Sequence, residues 1–112
     1  MPNKIHLTVA TIVEREGQFL MVKETKFGRQ VINQPAGHVE PGEDIQAAAI
    51  RETFEETGWV VELTGFLGFL TSFNETSGIT YYRLGFVAKA VEFDASALLD
   101  PDIDYALWMS YE

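Results

Sequence analysis

Residues 37–59, GHVEPGEDIQAAAIRETFEETGW, join a glycine- and proline-bearing loop, a run of strong helix formers and a closing glycine. Few local structures satisfy all three. Ala47, Ala48 and Ala49 are the best helix formers. Glu43 or Asp44 can accept from the free N–H groups of a first turn, where their charge suits the positive end of the helix dipole. Gly58 suits the C′ position. A helix over residues 44–57 is therefore predicted. Glu52, Glu55 and Glu56 then stand at i, i+3 and i+4 on one face, and Ala47, Ile50 and Phe54 lie roughly opposite, free to bury against a sheet. Like charges at this spacing cost an isolated helix about 0.2–0.5 kcal/mol, and glutamates in the C-terminal half oppose the dipole. A bound cation reverses both penalties. The competing reading is a solvated acidic face partly compensated by Arg51. The sharing of one face by all three glutamates, and the loop before them, weigh against it. Oxygen-only ligands suit Mg²⁺, or Mn²⁺, rather than zinc. Magnesium keeps its waters and takes substrate phosphate, which points to a phosphate-bearing small molecule.

Strands surround this helix. Residues 5–14 alternate apolar and polar with many β-branched side chains, and 15–18 with Gly17 read as a hairpin turn into a return strand over 19–24. Residues 25–30 read as a polar loop. Val31 and Ile32 make a short apolar piece before Pro35, so any strand there is short or at an edge. Residues 59–73 read as a strand with Gly65 and Gly68 as bulge positions, 74–78 as a turn, and 79–91 as its antiparallel partner. An aspartate-rich loop over 92–103 leads to a short strand over 104–109. Ser110 then resembles the cap of a further helix. The order of several strands, one helix and more strands predicts an α+β domain with a mixed sheet.

The 112 residues fit one domain, and nothing in them marks a linker or repeat. No run approaches the roughly 20 apolar residues of a membrane span, and residues 1–10 lack the pattern of a signal peptide, so a cytoplasmic location is the default expectation. The absence of cysteine excludes disulfides and thiolate metal sites. A net charge of −9 argues against binding a nucleic-acid polymer. Arg15, Lys23, Lys26 and Arg29 cluster before the loop. A solvated hairpin edge and a rim attracting an anionic substrate both account for them, and both stay open.

The spacing G-x5-E-x7-R-E-x-x-E-E-x-G, filled here by Gly37, Glu43, Arg51, Glu52, Glu55, Glu56 and Gly58, matches the box of the Nudix hydrolase family. Thr53 departs from it, standing on the flank of the helix where an aliphatic residue is usual. The NQPAGH approach to the box and the DYALWMS segment also resemble this family, in particular its NudJ-type phosphatases. The resemblance implies an α/β/α sandwich with the box helix on one face of a mixed sheet. It implies a C-terminal helix as well, of which this chain holds only the first residues. Either the chain is truncated there or a neighbouring subunit covers the face, so monomer and homodimer are both open.

The resemblance also implies metal-assisted hydrolysis of a small phosphate-bearing substrate. The metal ligands would be Glu52, Glu55, Glu56 and the backbone carbonyl of Ala36, with Glu52 as general base. Arg51 would orient a glutamate, with Glu43 or Glu55 receiving it. Gly37 would permit close backbone approach, and Gly58 would end the helix. Asp102 and Asp104 are candidates for an extra carboxylate, though a solvated turn is the first reading of that loop. An EF-hand there is excluded, because Tyr105 and Tyr111 occupy the positions of the required glycine and glutamate. Asn33, Gln34, His38, Lys23, Arg29 and Arg83 are candidate substrate contacts, with Lys26 as a further cation and Tyr81, Tyr82, Phe27 and Phe73 for stacking. Release of phosphate from nucleoside di- or triphosphates, or from thiamin-related pyrophosphates, is the leading expectation. A pyrophosphohydrolase of the MutT type and a non-catalytic ligand sensor of the same fold are the alternatives.

Overall fold

The computed structural model describes residues 4–110. Its elements are β1 (Lys4–Arg15), β2 (Gln18–Lys26), β3 (Arg29–Asn33), β4 (Ala36–His38), α1 (Ile45–Thr57), β5 (Trp59–Asn74), β6 (Ile79–Phe93) and β7 (Ile103–Ser110). The sheet is mixed, in the order β3-β2-β1-β6-β5, with β4 also pairing β1 and β7 also pairing β2. Most neighbours are antiparallel, while β1 runs parallel to β6 from Lys4↔Ile79 to Val13↔Ala88. The α+β architecture with the helix on one face of a mixed sheet is as expected. No helix among the described residues is long and apolar enough to cross a membrane.

Local chemistry explains most boundaries. Glu16 and Gly17 both take positive φ, the geometry of a tight hairpin turn, and bring Arg15 opposite Gln18. The predicted polar loop over 25–30 is instead a second hairpin, turned at Phe27 and Gly28, whose exposed edge explains its polarity. Asp44 caps α1 by accepting from the Ala47 N–H at 3.0 Å, and Gly58 closes it in the left-handed region at φ 79. Gly65 and Gly68 flank shifts in the β5–β6 register, as expected of bulges. Ser110 is the last residue of β7 rather than a helix cap, and residues 111 and 112 lie outside the described residues.

The helix packs with a different face from the expected one. Ala48, Ala49 and Thr53 are buried, whereas Ala47 is exposed and Ile50 and Phe54 are half-buried. Ala48 and Ala49 meet Val9 and Phe86 in one core cluster, and Val13, Leu20, Val61 and Ala88 form a second, against which Ile50 leans. Thr53 is therefore central, not flanking. Its hydroxyl lies 2.7 Å from that of Thr11 and donates to the Ala49 carbonyl at 2.8 Å.

Candidate active site

The loop between β4 and α1 folds back on the helix through Arg51. Its Nε and Nη2 donate to the two carboxylate oxygens of Glu43 at 2.6 and 2.8 Å. Nη1 donates to Glu52 at 2.6 Å and to Glu55 at 2.9 Å, and Nη2 reaches the His38 carbonyl at 3.1 Å. The sequence left Glu43 and Glu55 as alternative partners, and the arginine takes both. The paired guanidinium holds the Glu43 carboxyl down at about 2. A Cβ built on Gly37 would overlap the Glu52 carboxylate, so glycine leaves the room in which that side chain lies against β4.

The three glutamates on the helix divide into two groups. Glu52 and Glu55 lie together with Asp100, each offering one oxygen within 4.8 Å of the others. Asp100 reaches them because its N–H donates to the Glu55 carbonyl at 3.0 Å, satisfying a free carbonyl at the helix end. Glu56 is instead buried, 8% exposed, and accepts from the Ala36 N–H at 3.0 Å. Burial pushes its carboxyl up to about 8; the charges of Glu24, Glu52 and Asp100 push the same way, against the Ala36 hydrogen bond. Burial also raises Glu52, opposed by Arg51.

Glu52 and Glu56 belong to the wall of an open cleft of about 1000 Å³. Ala36, Gly37 and His38 of β4 adjoin them, Glu24, Lys26, Asn33 and Gln34 come from β2, β3 and the segment after it, and Ser72, Tyr81 and Arg83 from β5 and β6. Of the expected substrate contacts, Asn33, Gln34, His38 and Arg83 thus line one cavity, with Lys26 and Tyr81. Lys23 and Arg29 do not. Strand alternation sends Lys23 away from Glu24, onto the Tyr105 ring at 5.8 Å, and Arg29 stands at the tip of the β2–β3 hairpin. Arg15 of the basic stretch lies over the rings of Trp59 and Trp108 at 4.8 and 4.6 Å, so only Lys26 of that group reaches the cleft. Tyr82, Phe27 and Phe73 are not in its wall.

Among the loop aspartates, Asp102 lines the cleft, while Asp104 accepts from Thr25 at 2.7 Å and Gln30 at 3.3 Å and ties β7 to the β2–β3 hairpin. The expectation named these two and passed over Asp100, whose position depends on a backbone bond with no sequence signal. Glu24 was missed as well: it continues the buried side of β2 after Leu20 and Val22, and only its charge in an otherwise apolar alternation marked it. His38 stacks edge-on with His6 and Tyr81, its Nε2 3.2 Å from His6 Nδ1. Burial, then the neighbouring His6, lowers its pKa. A smaller apolar groove of about 420 Å³ beside Trp59, Phe93 and Trp108 holds none of these carboxylates.

Comparison with known proteins gives one consistent result. The family model for the NUDIX domain matches residues 4–112. Phosphatase NudJ of Escherichia coli K12 is 37% identical over 109 residues, spanning 97% of this chain and 71% of the relative. A NUDIX hydrolase from Nitrosomonas europaea superposes with a TM-score of 0.88 at 38% identity, covering 98% of this chain and 73% of that one. A MutT NUDIX hydrolase from Burkholderia pseudomallei shares the fold, with a TM-score of 0.77 at 20% identity over 96% of this chain and 84% of that one.

Proposed function

The chain belongs to the Nudix family of hydrolases acting on phosphoanhydride bonds of small phosphate-bearing molecules, and on that premise we propose a Mg²⁺-dependent phosphatase in which residues 1–112 work as one catalytic domain. Mn²⁺ would substitute for magnesium. The substrates would be nucleoside di- or triphosphates or thiamin-related pyrophosphates, with phosphate released, in line with the phosphatase name of the NudJ relative. The observation that carries this reading is the meeting of Glu52, Glu55 and Asp100, with Glu52 shared by the cleft that also holds Glu56.

The donor set fits a hard divalent cation, since every side-chain oxygen offered is a carboxylate. Buried Glu56 fits too, because a cation nearby offsets the cost of charging it. Glu52, Glu55, Glu56 and the Ala36 carbonyl are assigned as ligands, with Asp100 as a candidate extra carboxylate beside Asp102 and Asp104. When bound, the ion would neutralise phosphate oxygens and acidify a water ligand. Glu52 is assigned as the general base that accepts the proton of the attacking water. Arg51 holds Glu52 and Glu55 in place. Arg83 and Lys26 would bind phosphate, Asn33, Gln34 and His38 would position the rest of the substrate, and Tyr81 offers a ring for stacking.

The test is a substrate panel with Mg²⁺, read for both phosphate and pyrophosphate. Phosphate release is expected, and pyrophosphate with nucleoside monophosphate would favour the MutT-type alternative. Glu56→Gln should lower turnover by roughly 10²–10³-fold with folding intact. Full activity in that variant would remove the metal assignment.

A further inference from the structure

We infer that Glu24 and Asn33 together determine specificity, reading two adjacent N–H donors on the organic group of the substrate. This rests on the hydrolase reading of the cleft. Leu20, Val22 and Glu24 occupy the same side of β2, all buried, yet the first two fill the core and the third reaches the cleft. Glu24 is only 9% exposed. A carboxylate there, close enough to Glu56 to oppose its ionisation, works against the fold, and an apolar side chain continuing the pattern would not.

Its hydrogen bonding is incomplete. Among the described residues, Asn33 Nδ2 donates to Oε2 at 3.0 Å, and the one ion pair is Lys26 Nζ at 4.0 Å from Oε1, on a lysine side chain that is 56% exposed. An ionised carboxylate accepts about four hydrogen bonds, so capacity remains at the cleft wall. Glu24 is not one of the Glu52, Glu55 and Asp100 group. Its negative charge also disfavours a phosphate beside it.

The amide of Asn33 is oriented by the same bond. With Nδ2 given to Glu24, its Oδ1 remains an acceptor, and both residues line the cavity. Two neighbouring acceptors complement two neighbouring donors. Guanine presents such an edge through N1–H and its 2-amino group, and a 4-aminopyrimidine presents one when protonated at its ring nitrogen. A hydrogen bond to a charged group contributes about 1.5–3 kcal/mol, or about tenfold to a hundredfold in discrimination.

Matched substrate pairs test this. Guanosine and inosine diphosphates differ in the 2-amino group, and cytidine and uridine diphosphates in the amino-bearing edge. The wild type should prefer the amino-bearing member of at least one pair by tenfold or more in kcat/KM, mostly through KM. A guanosine preference identifies the purine edge and a cytidine preference the protonated pyrimidine. Glu24→Gln should reduce that ratio to within about threefold, the loss falling on the amino-bearing member. Asn33→Ser, an exposed change that spares the core, should reduce it in the same direction. If none of the four is hydrolysed, the hydrolase reading of the cleft fails separately, and the same ratios measured as dissociation constants by calorimetry still decide the role of the pair. Equal treatment of both members by the wild type overturns the inference. So does an equal fall of both members in Glu24→Gln, the mark of a catalytic or ligand role.

Discussion

Arg51 distributes its donors over Glu43, Glu52, Glu55 and the His38 carbonyl, so one side chain sets the spacing of the loop and two candidate ligands. Lysine keeps the charge but not the fork. Arg51→Lys should lower kcat/KM about tenfold to a hundredfold and cost about 1–3 kcal/mol of stability, the latter discounted because the side chain is a quarter exposed. Steady-state kinetics and thermal unfolding check both, and wild-type behaviour would show that Arg51 is a spectator. The Glu43 pair also has a pH signature. Its carboxyl is held at about 2 against an ordinary 4.5, so the folded state binds its proton less readily than the unfolded chain. The stability it contributes is complete above pH 4.5 and disappears as pH falls toward 2. The melting-temperature difference between wild type and Glu43→Gln should therefore be constant near neutrality and close across that acid window. At this scale the box residues were legible because helical spacing places them. Asp100 and Glu24 were not, because a backbone bond and a strand's buried side brought them in.

The ends of α1 were legible from Asp44 and Gly58, whose chemistry is local to the turn they make. Its packing face was not. Hydrophobicity nominated Ile50 and Phe54, but the helix lies on the sheet through Ala48, Ala49 and Thr53. Small side chains permit that close approach, and the larger apolar ones are displaced to the flanks, half-buried. Thr53, the one departure from the box pattern, thus has a structural partner in Thr11. Thr53→Val should cost about 1–3 kcal/mol by leaving the buried Thr11 hydroxyl short of a partner, and the Thr11→Val/Thr53→Val double variant should recover much of it. Denaturant unfolding of the four proteins measures the coupling, and simple additivity would dismiss the pair. The hairpin over 25–30 escaped prediction for a related reason: an edge hairpin needs little apolar content, so its strands read as loop.

Across the whole molecule, the strands were largely legible from alternation, but the sheet order was not, since pairing between distant segments leaves little trace in either one. Among the described residues, edge strand β5 pairs only with β6 and exposes Phe66, Leu67, Phe69, Leu70 and Phe73, while residues 63–74 carry no charge. Such an edge favours self-association. Phe69→Lys should diminish concentration-dependent association in light scattering with little change in melting temperature, and undiminished association would place the contact elsewhere. The parallel pairing of β1 with β6 has a temporal consequence. During synthesis β1, carrying Val9 and Val13, which end fully buried, emerges well before its longest partner, β6. Helix α1 is translated while part of the floor beneath it is still missing. Closure of a contact so distant along the chain is slow, so the nascent protein passes through a stage with its apolar strand uncovered, and its yield in the cell depends on what shields that strand until β6 arrives.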